Sequence, residues 1–367
     1  MGTDTRTLTE TERLDWLRLY RSERIGPASF FRLIERFGSP GRALEALPEL
    51  ARRGGADGIR ICSRTSAERE IHALERLGGR LIASIEAEFP AALRPLESTP
   101  LLTLRGNPRL LAGPAVAIVG ARNASTVGRR IARQLAMDLG QAGFVVVSGM
   151  ARGIDTAAHE GSLASGTVAV LAGGVDIVYP PENRPLYDRL CDEGCVVSEM
   201  APGSQPQAGH FPRRNRLISG ISLGVVVVEA SIKSGSLITS RLGLEQGREI
   251  FAVPGSPLDP RCQGPNALIK QGAVLTETAA DIIDVLAPML GYVSPAPPEA
   301  LVSPPNDGEV TASRDRVLRS LSPTPVAVDE LVRDCDQPPA VVSAVLLELE
   351  LAGRLERHPG NRVSLVP

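Results

Sequence analysis

The sequence predicts an α/β protein: an extended Rossmann-like, doubly wound, mainly parallel sheet, flanked by an N-terminal helical module of the SAM or helix-hairpin-helix type and a C-terminal winged helix. Three observations carry this. Between Ala115 and Pro288, continuous apolar runs alternate with amphipathic segments, the pattern of parallel strands covered on both faces. Before residue 79, apolar side chains recur at three- and four-residue spacing. After a proline-rich stretch, residues 310–367 spell three helices and a two-stranded tail. The expected domains are therefore 1–79, 80–290 and 310–367, with 291–309 as linker.

In chain order, TERLDWLRLYRSE and PASFFRLIERFG read as helices, punctuated by Gly26-Pro27 and by Gly38-Ser39-Pro40-Gly41. IGPASFFRLIERFGSPGRALEAL is similar to a helix-hairpin-helix or SAM-like module, whose glycine turn can approach a backbone phosphate. Short helical modules are unspecific signals, so packing on a neighbour is the expected role. From Arg80 to Pro114 the text reads as a strand, an irregular cover and a lead-in. The buried strands are VAIVGA (116–121), FVVVSG (144–149), TVAVLAG (167–173), CVVSEM (195–200), GVVVVEA (224–230) and IFAVPG (250–255). In such sheets a ligand lies beyond the carboxyl ends of the strands. These ends are rich in small or polar residues and should form one wide, shallow mouth.

In the C-terminal module, a helix that reads DNA should carry basic or amide residues. VVSAVLLELELAGR instead offers Glu348, Glu350 and a terminal Arg354, so this module is expected to contact protein rather than DNA.

Composition narrows the function. Hydrophobic residues make up 43% and charged residues 22%, the balance of a globular protein. No apolar run reaches the roughly 20 residues that span a bilayer, and the first residues lack a signal-peptide core, so a cytosolic protein without membrane contact is expected. The five cysteines are scattered, which argues for buried thiols over disulfides or a zinc site. A net charge of −2 confines any nucleic-acid binding to a local basic patch. Aromatic residues are only 3%, which disfavours a long row of stacked bases and leaves Phe211 and Tyr179 as isolated stacking candidates.

Cofactor use finds no support. VGARNAST follows the first strand where G-x-G-x-x-G would stand, and G-x-x-x-x-G-K-[ST] is absent, so no cofactor or metal is expected. His159 reads as a packing histidine and Asp155 as a loop brace. Glu229, at the end of a strand, is the one carboxylate to test as catalytic.

The stretch 210–241, HFPRRNRLISGISLGVVVVEASIKSGSLITSR, holds the strongest signal. It reads as an arginine-rich turn, an apolar strand and a small-residue helix start, whose free N–H groups suit a phosphate. The candidate clamp comprises Arg122 after the first strand, Ser148, Gly149, Arg152 and Gly153 after the second, Phe211, Arg213, Arg214 and Arg216 in the turn, and Lys233, Ser234, Gly235 and Ser236 at the helix start. Backbone donors and few rings suit a strand held by its phosphates.

VAIVGARNASTVGRRIA, SGMARGIDTAAHEG, TVAVLAGGVDIVYPPEN, SEMAPGSQPQAGHFPRRNRLISGIS, VVVVEASIKSGSLITSRLGLEQGREIFAVPG and GPNALIKQGA resemble the DNA-processing protein A family (DprA, or Smf). The resemblance implies a non-enzymatic, usually homodimeric protein that binds single-stranded DNA in its Rossmann-like domain, and its arginine-rich turn motif, matched by Arg213 to Arg216, adds Asn215 to the DNA site. It further implies protection of incoming strands in natural transformation and help in loading a RecA-type recombinase. The alternative is a Rossmann-like enzyme on nucleotides, such as a nucleoside-monophosphate phosphoribohydrolase. A regulatory protein acting through the acidic winged helix is a third possibility.

Overall fold

The computed structural model describes residues 6–55, 58–96, 99–290, 307–358 and 360–366. Most of the expected linker 291–309 lies outside the described residues, and its last three residues open a helix. The chain divides into two compact bodies: Leu8–Glu68 with the C-terminal elements, and the residues between them.

The first body begins with α1 (Glu10–Tyr20), α2 (Pro27–Phe37), α3 (Pro40–Arg53) and α4 (Arg64–Arg76), the division between bodies falling inside α4. Their boundaries follow local chemistry. Thr9 and Glu12 form a capping box that satisfies orphan amides at the start of α1. Pro27 opens α2, and Gly38, at φ 74°, closes it in the left-handed conformation. Inside, Trp16 and Tyr20 pack on the fully buried Phe30, with ring centroids 5.3 and 6.0 Å away.

The second body is built on nine strands: β1 (Gly79–Ala83), β2 (Leu101–Gly106), β3 (Ala115–Val119), β4 (Val145–Ser148), β5 (Thr167–Val170), β6 (Cys195–Ser198), β7 (Gly224–Val227), β8 (Glu249–Ala252) and β9 (Val274–Leu275). Their spatial order is β1-β2-β6-β5-β4-β3-β7-β8-β9. Pairings from β6 to β9 are parallel, and β1–β2 and β2–β6 are antiparallel. The chain steps outward from β3 to β6 and returns on the other side of β3 as β7. The topological switch point, where such sheets bind ligands, therefore lies between β3 and β7.

Helices α5 (Thr126–Gln141), α6 (Ile154–Ser162), α7 (Arg184–Glu193), α8 (His210–Ile221), α9 (Gly235–Glu245), α10 (Gln263–Lys270) and α11 (Ala279–Leu290) complete this body. Strand alternation sends Val116, Ile118, Val146, Val226 and Phe251 to one face, against α5, α6 and α11. Ala117, Val119, Val147, Val168, Val225 and Ile250 line the other, against Leu217, Ile218 and Ile221 of α8.

The first body is completed by a winged helix: α12 (Asp307–Ser320), β10 (Val326–Ala327), α13 (Val328–Cys335), α14 (Pro339–Leu351), β11 (Leu355–His358) and β12 (Arg362–Leu365). Its three-stranded sheet runs β10-β12-β11.

Two of the expected local structures change. The arginine-rich segment read as a turn is the helix α8. The antiparallel strand β2 joins the sheet from within the segment read as irregular cover.

His159 is fully buried on α6, its Nδ1 2.7 Å from Thr167 Oγ1, while that hydroxyl donates to the Val146 carbonyl. With its proton already committed, Thr167 Oγ1 accepts from Nδ1–H, which fixes a neutral tautomer. Burial, reinforced by Arg214, drives the imidazole pKa down to about 3 from 6.5. A depressed folded-state pKa means that stability present above 6.5 is lost as pH falls toward 3. Urea titrations near pH 7 and near pH 4.5 should show a smaller acid loss for His159→Asn than for the parent chain. Equal losses would contradict the buried neutral histidine. Phe251→Ala should cost about 3–5 kcal/mol in the same titration, because that ring is wholly buried.

Candidate nucleic-acid interface

The loops after β3, β4, β5 and β7 open at one edge of the sheet and form the expected mouth. Its floor is held by Arg214. On α8 this residue recurs with Leu217, Ile218 and Ile221 at positions i, i+3, i+4 and i+7, so it points inward with them. Its Nη1 donates to the Gly149 carbonyl at the end of β4 and, at 2.7 Å, to the Val170 carbonyl at the end of β5. Asp155, also buried, accepts from the amides of Gly149 at 3.1 Å and Ala151 at 3.3 Å.

Gly149 is wedged between these two charged side chains, and a Cβ there would collide with both. Burial lowers the Arg214 pKa to about 10, partly opposed by Asp155, so the guanidinium stays charged at neutral pH. Burial likewise raises the Asp155 pKa, opposed chiefly by Arg214. The two opposite charges stabilise one another from either side of Gly149, and their backbone bonds tie α8, α6 and the ends of two strands together.

Above this floor lies a short row of flat groups. The Arg122 guanidinium is 5.3 Å from the centroid of the Phe211 ring, and that centroid is 5.7 Å from that of Tyr179. Arg122 and Arg213 are exposed, and Phe211 is half-buried. Shallow depressions flank Arg214, one lined by Arg213, His210 and Met200, the other by Phe211, Tyr179 and Gly173.

The β7–α9 loop lies at the same edge of the sheet. Lys233 is exposed with no hydrogen bond or ion pair among the described residues. Ser234 caps α9, accepting from the Ser236 amide at 3.4 Å. Gly235 follows as the first residue of the helix, and a Cβ built on it meets nothing within 4 Å. The space above this helix start is open.

Other candidates are engaged elsewhere. Arg214 is the buried brace described above. Ser148 is fully buried and donates to the Ile118 carbonyl at 2.6 Å. Arg216 pairs with Glu199, its Nη2 2.5 Å from each carboxylate oxygen. Asn215 is buried and reaches the Gly235 carbonyl at 3.4 Å. The side chains of Arg214, Ser148, Arg216 and Asn215 thus build the mouth and are not presented by it. Arg152 is exposed and 3.5 Å from Glu182. Gly153, at φ 80°, lets the β4–α6 loop lie against the Ala121 and Arg122 carbonyls.

Glu229, the candidate catalytic carboxylate, is also committed. It accepts from the Ser125 amide at 2.9 Å and the Ser125 hydroxyl at 2.5 Å, while Ser125 caps α5 through the Gly128 amide. A negative side chain at a helix N-terminus is favoured by the amides and dipole that a phosphate would use. The switch-point helix start is therefore filled from within. Two supports were not among the sequence candidates. Asn183 donates to the carbonyl of Met150, a non-glycine residue at φ 61°, and Glu199 anchors Arg216. The PPEN phrase and the acidic end of CVVSEM were their sequence signals.

Comparison with known proteins places this geometry. The DNA recombination-mediator protein A model matches residues 80–287, a DprA-like N-terminal HHH domain matches 10–73, and a DprA winged helix domain matches 295–361. Protein Smf of Escherichia coli is 37% identical over 306 residues, covering 82% of each chain. DNA processing protein DprA of Bacillus subtilis is 42% identical over 222 residues, 59% of this chain and 75% of that protein. Among solved structures, DprA of Streptococcus pneumoniae gives a TM-score of 0.63 at 32% identity, covering 76% of this chain and 98% of that one. DprA of Helicobacter pylori, whose structure concerns its single-stranded DNA binding mode, gives 0.52 at 28% identity, covering 57% and 96%. With its central domain, both flanking modules and most of its length matched, the chain belongs to the DNA-processing protein A (DprA/Smf) family.

Proposed function

We propose that this protein binds single-stranded DNA across the mouth of its Rossmann-like sheet, as a DNA-processing protein without catalytic activity of its own. The observation that carries this reading is the open wall formed by Arg122, Arg213 and Lys233 around the Arg122–Phe211–Tyr179 row and the uncovered start of α9. Separated cations and helix amides suit phosphates along a backbone, and a few flat groups suit an unpaired base. Duplex DNA hides its base faces and gains nothing from that row. Family membership supports the finer reading: a cytoplasmic homodimer that protects incoming strands in natural transformation and helps load a RecA-type recombinase onto them.

A nucleotide hydrolase is the weaker reading because Glu229 is held by Ser125 at the very helix start where a mononucleotide phosphate would bind. Incubation with a panel of nucleoside monophosphates should release no free base; release that disappears in Glu229→Gln would reverse the assignment.

Mobility-shift titrations across a salt series test the DNA site. Arg122→Ala, Arg213→Ala and Lys233→Ala should each weaken single-strand binding and flatten the slope of log affinity against log salt by about 0.7. Arg214→Ala should instead lower unfolding stability by about 1–3 kcal/mol, because it removes the buried donor that the Gly149 and Val170 carbonyls share. Unchanged affinity in all three surface variants would sink the assignment.

A further inference from the structure

The third helix of a winged helix, which ordinarily enters the DNA major groove, is α14 here, and both of its faces are buried. One face is the winged helix's own core: Val342, Val345, Leu346 and Leu349. Val341, Leu347, Glu348 and Leu351 lie outside that core and yet are at most 3% exposed. On this side α14 packs on α2 and α3 of the N-terminal helical module, which brings Glu348 and the last turn of α14 against Arg36 and Gly54.

Three features mark this contact as built for its partner. First, Glu348 is 1% exposed, a cost that a carboxylate bears only with cations beside it. It has one from each module: Arg314 of α12 pairs with its Oε2, and Arg36 of α2 lies 3.9 Å from its Oε1. Second, the orphan carbonyls at the end of α14 are met from the other module. Arg24 donates to the Leu351 carbonyl at 3.2 Å, and Arg354 returns a bond to the Gly54 carbonyl at 3.4 Å. Third, the backbones touch at Gly54, where a Cβ would collide with the Glu348 carbonyl and stand 2.6 Å from the Ala352 methyl group. Gly54 has φ −72° and ψ −6°, a conformation open to any residue, so its lack of a side chain serves the contact and not the turn.

We propose that the surface a winged helix offers to DNA is, in this protein, a docking surface for the chain's own N-terminal helical module, locked by Arg36–Glu348–Arg314. The acidic, apolar character of α14 follows from this role. The partner it fits is a helical surface with a glycine notch and two arginines, and duplex DNA has no access to it while it is docked.

The test uses the full chain with a specific protease sequence inserted between residues 295 and 305. After cleavage, the C-terminal fragment of the otherwise wild-type chain should co-elute with the remainder on size exclusion. Gly54→Leu should drive the modules apart and raise the fragment's dissociation constant about tenfold or more. Gly58→Leu, at an exposed glycine whose added Cβ meets nothing within 4 Å, should leave it unchanged. Glu348→Gln, tested alongside, should also loosen the fragment. Circular dichroism and single-strand affinity check that each variant remains folded. Separation of the cleaved fragment in the wild-type background, or equal retention in Gly54→Leu and Gly58→Leu, would overturn the proposal.

Discussion

One buried guanidinium organises the proposed binding edge of this protein. Arg214 spans from α8 to the last carbonyls of two neighbouring strands, and Asp155 gathers the amides of the loop between them. An arginine with a single partner at this depth would be untenable. Shared between two carbonyls and a nearby carboxylate, it fixes where the β4–α6 loop ends and how α8 lies on the sheet. The neighbouring positions on α8 inherit that placement: Phe211 faces Arg122 and Tyr179, and Arg213 faces outward.

A second internal charge bears on which anion the proposed site would take. Glu229 fills the N-terminus of α5 at the switch point, the place where Rossmann-like proteins commonly hold a nucleotide phosphate. In the proposed site, phosphate recognition therefore falls to the rim, to Arg122, Arg213, Lys233 and the start of α9. A rim accommodates a polymer that passes over it more readily than a mononucleotide that needs a closed pocket.

The parallel strands were legible because runs such as VAIV and GVVVV have no polar face to confuse their burial. Strand β2 was not, since prolines flank it and its pairing with β6 is a long-range antiparallel contact that leaves no local trace. Within the site, residue types were legible but their directions were not. A cluster of three arginines invites a reading as one clamp, whereas helical periodicity separates them: Arg214 shares the apolar face with Leu217 and Ile221, and Arg213 does not. Reading that segment as a turn concealed the distinction. The acidic third helix of the winged module was expected to contact protein rather than DNA, and in the structure it packs on α2 and α3 of the same chain.

In the proposed function this mouth holds an unpaired strand by its backbone. The most direct measurement is a competition mobility shift on the intact chain at near-physiological salt, with single-stranded DNA and the duplex of the same sequence as competitors. The single strand should displace a labelled single strand at far lower concentration than the duplex does. Equal competition by the two, or displacement by nucleoside monophosphates at comparable concentration, would contradict it.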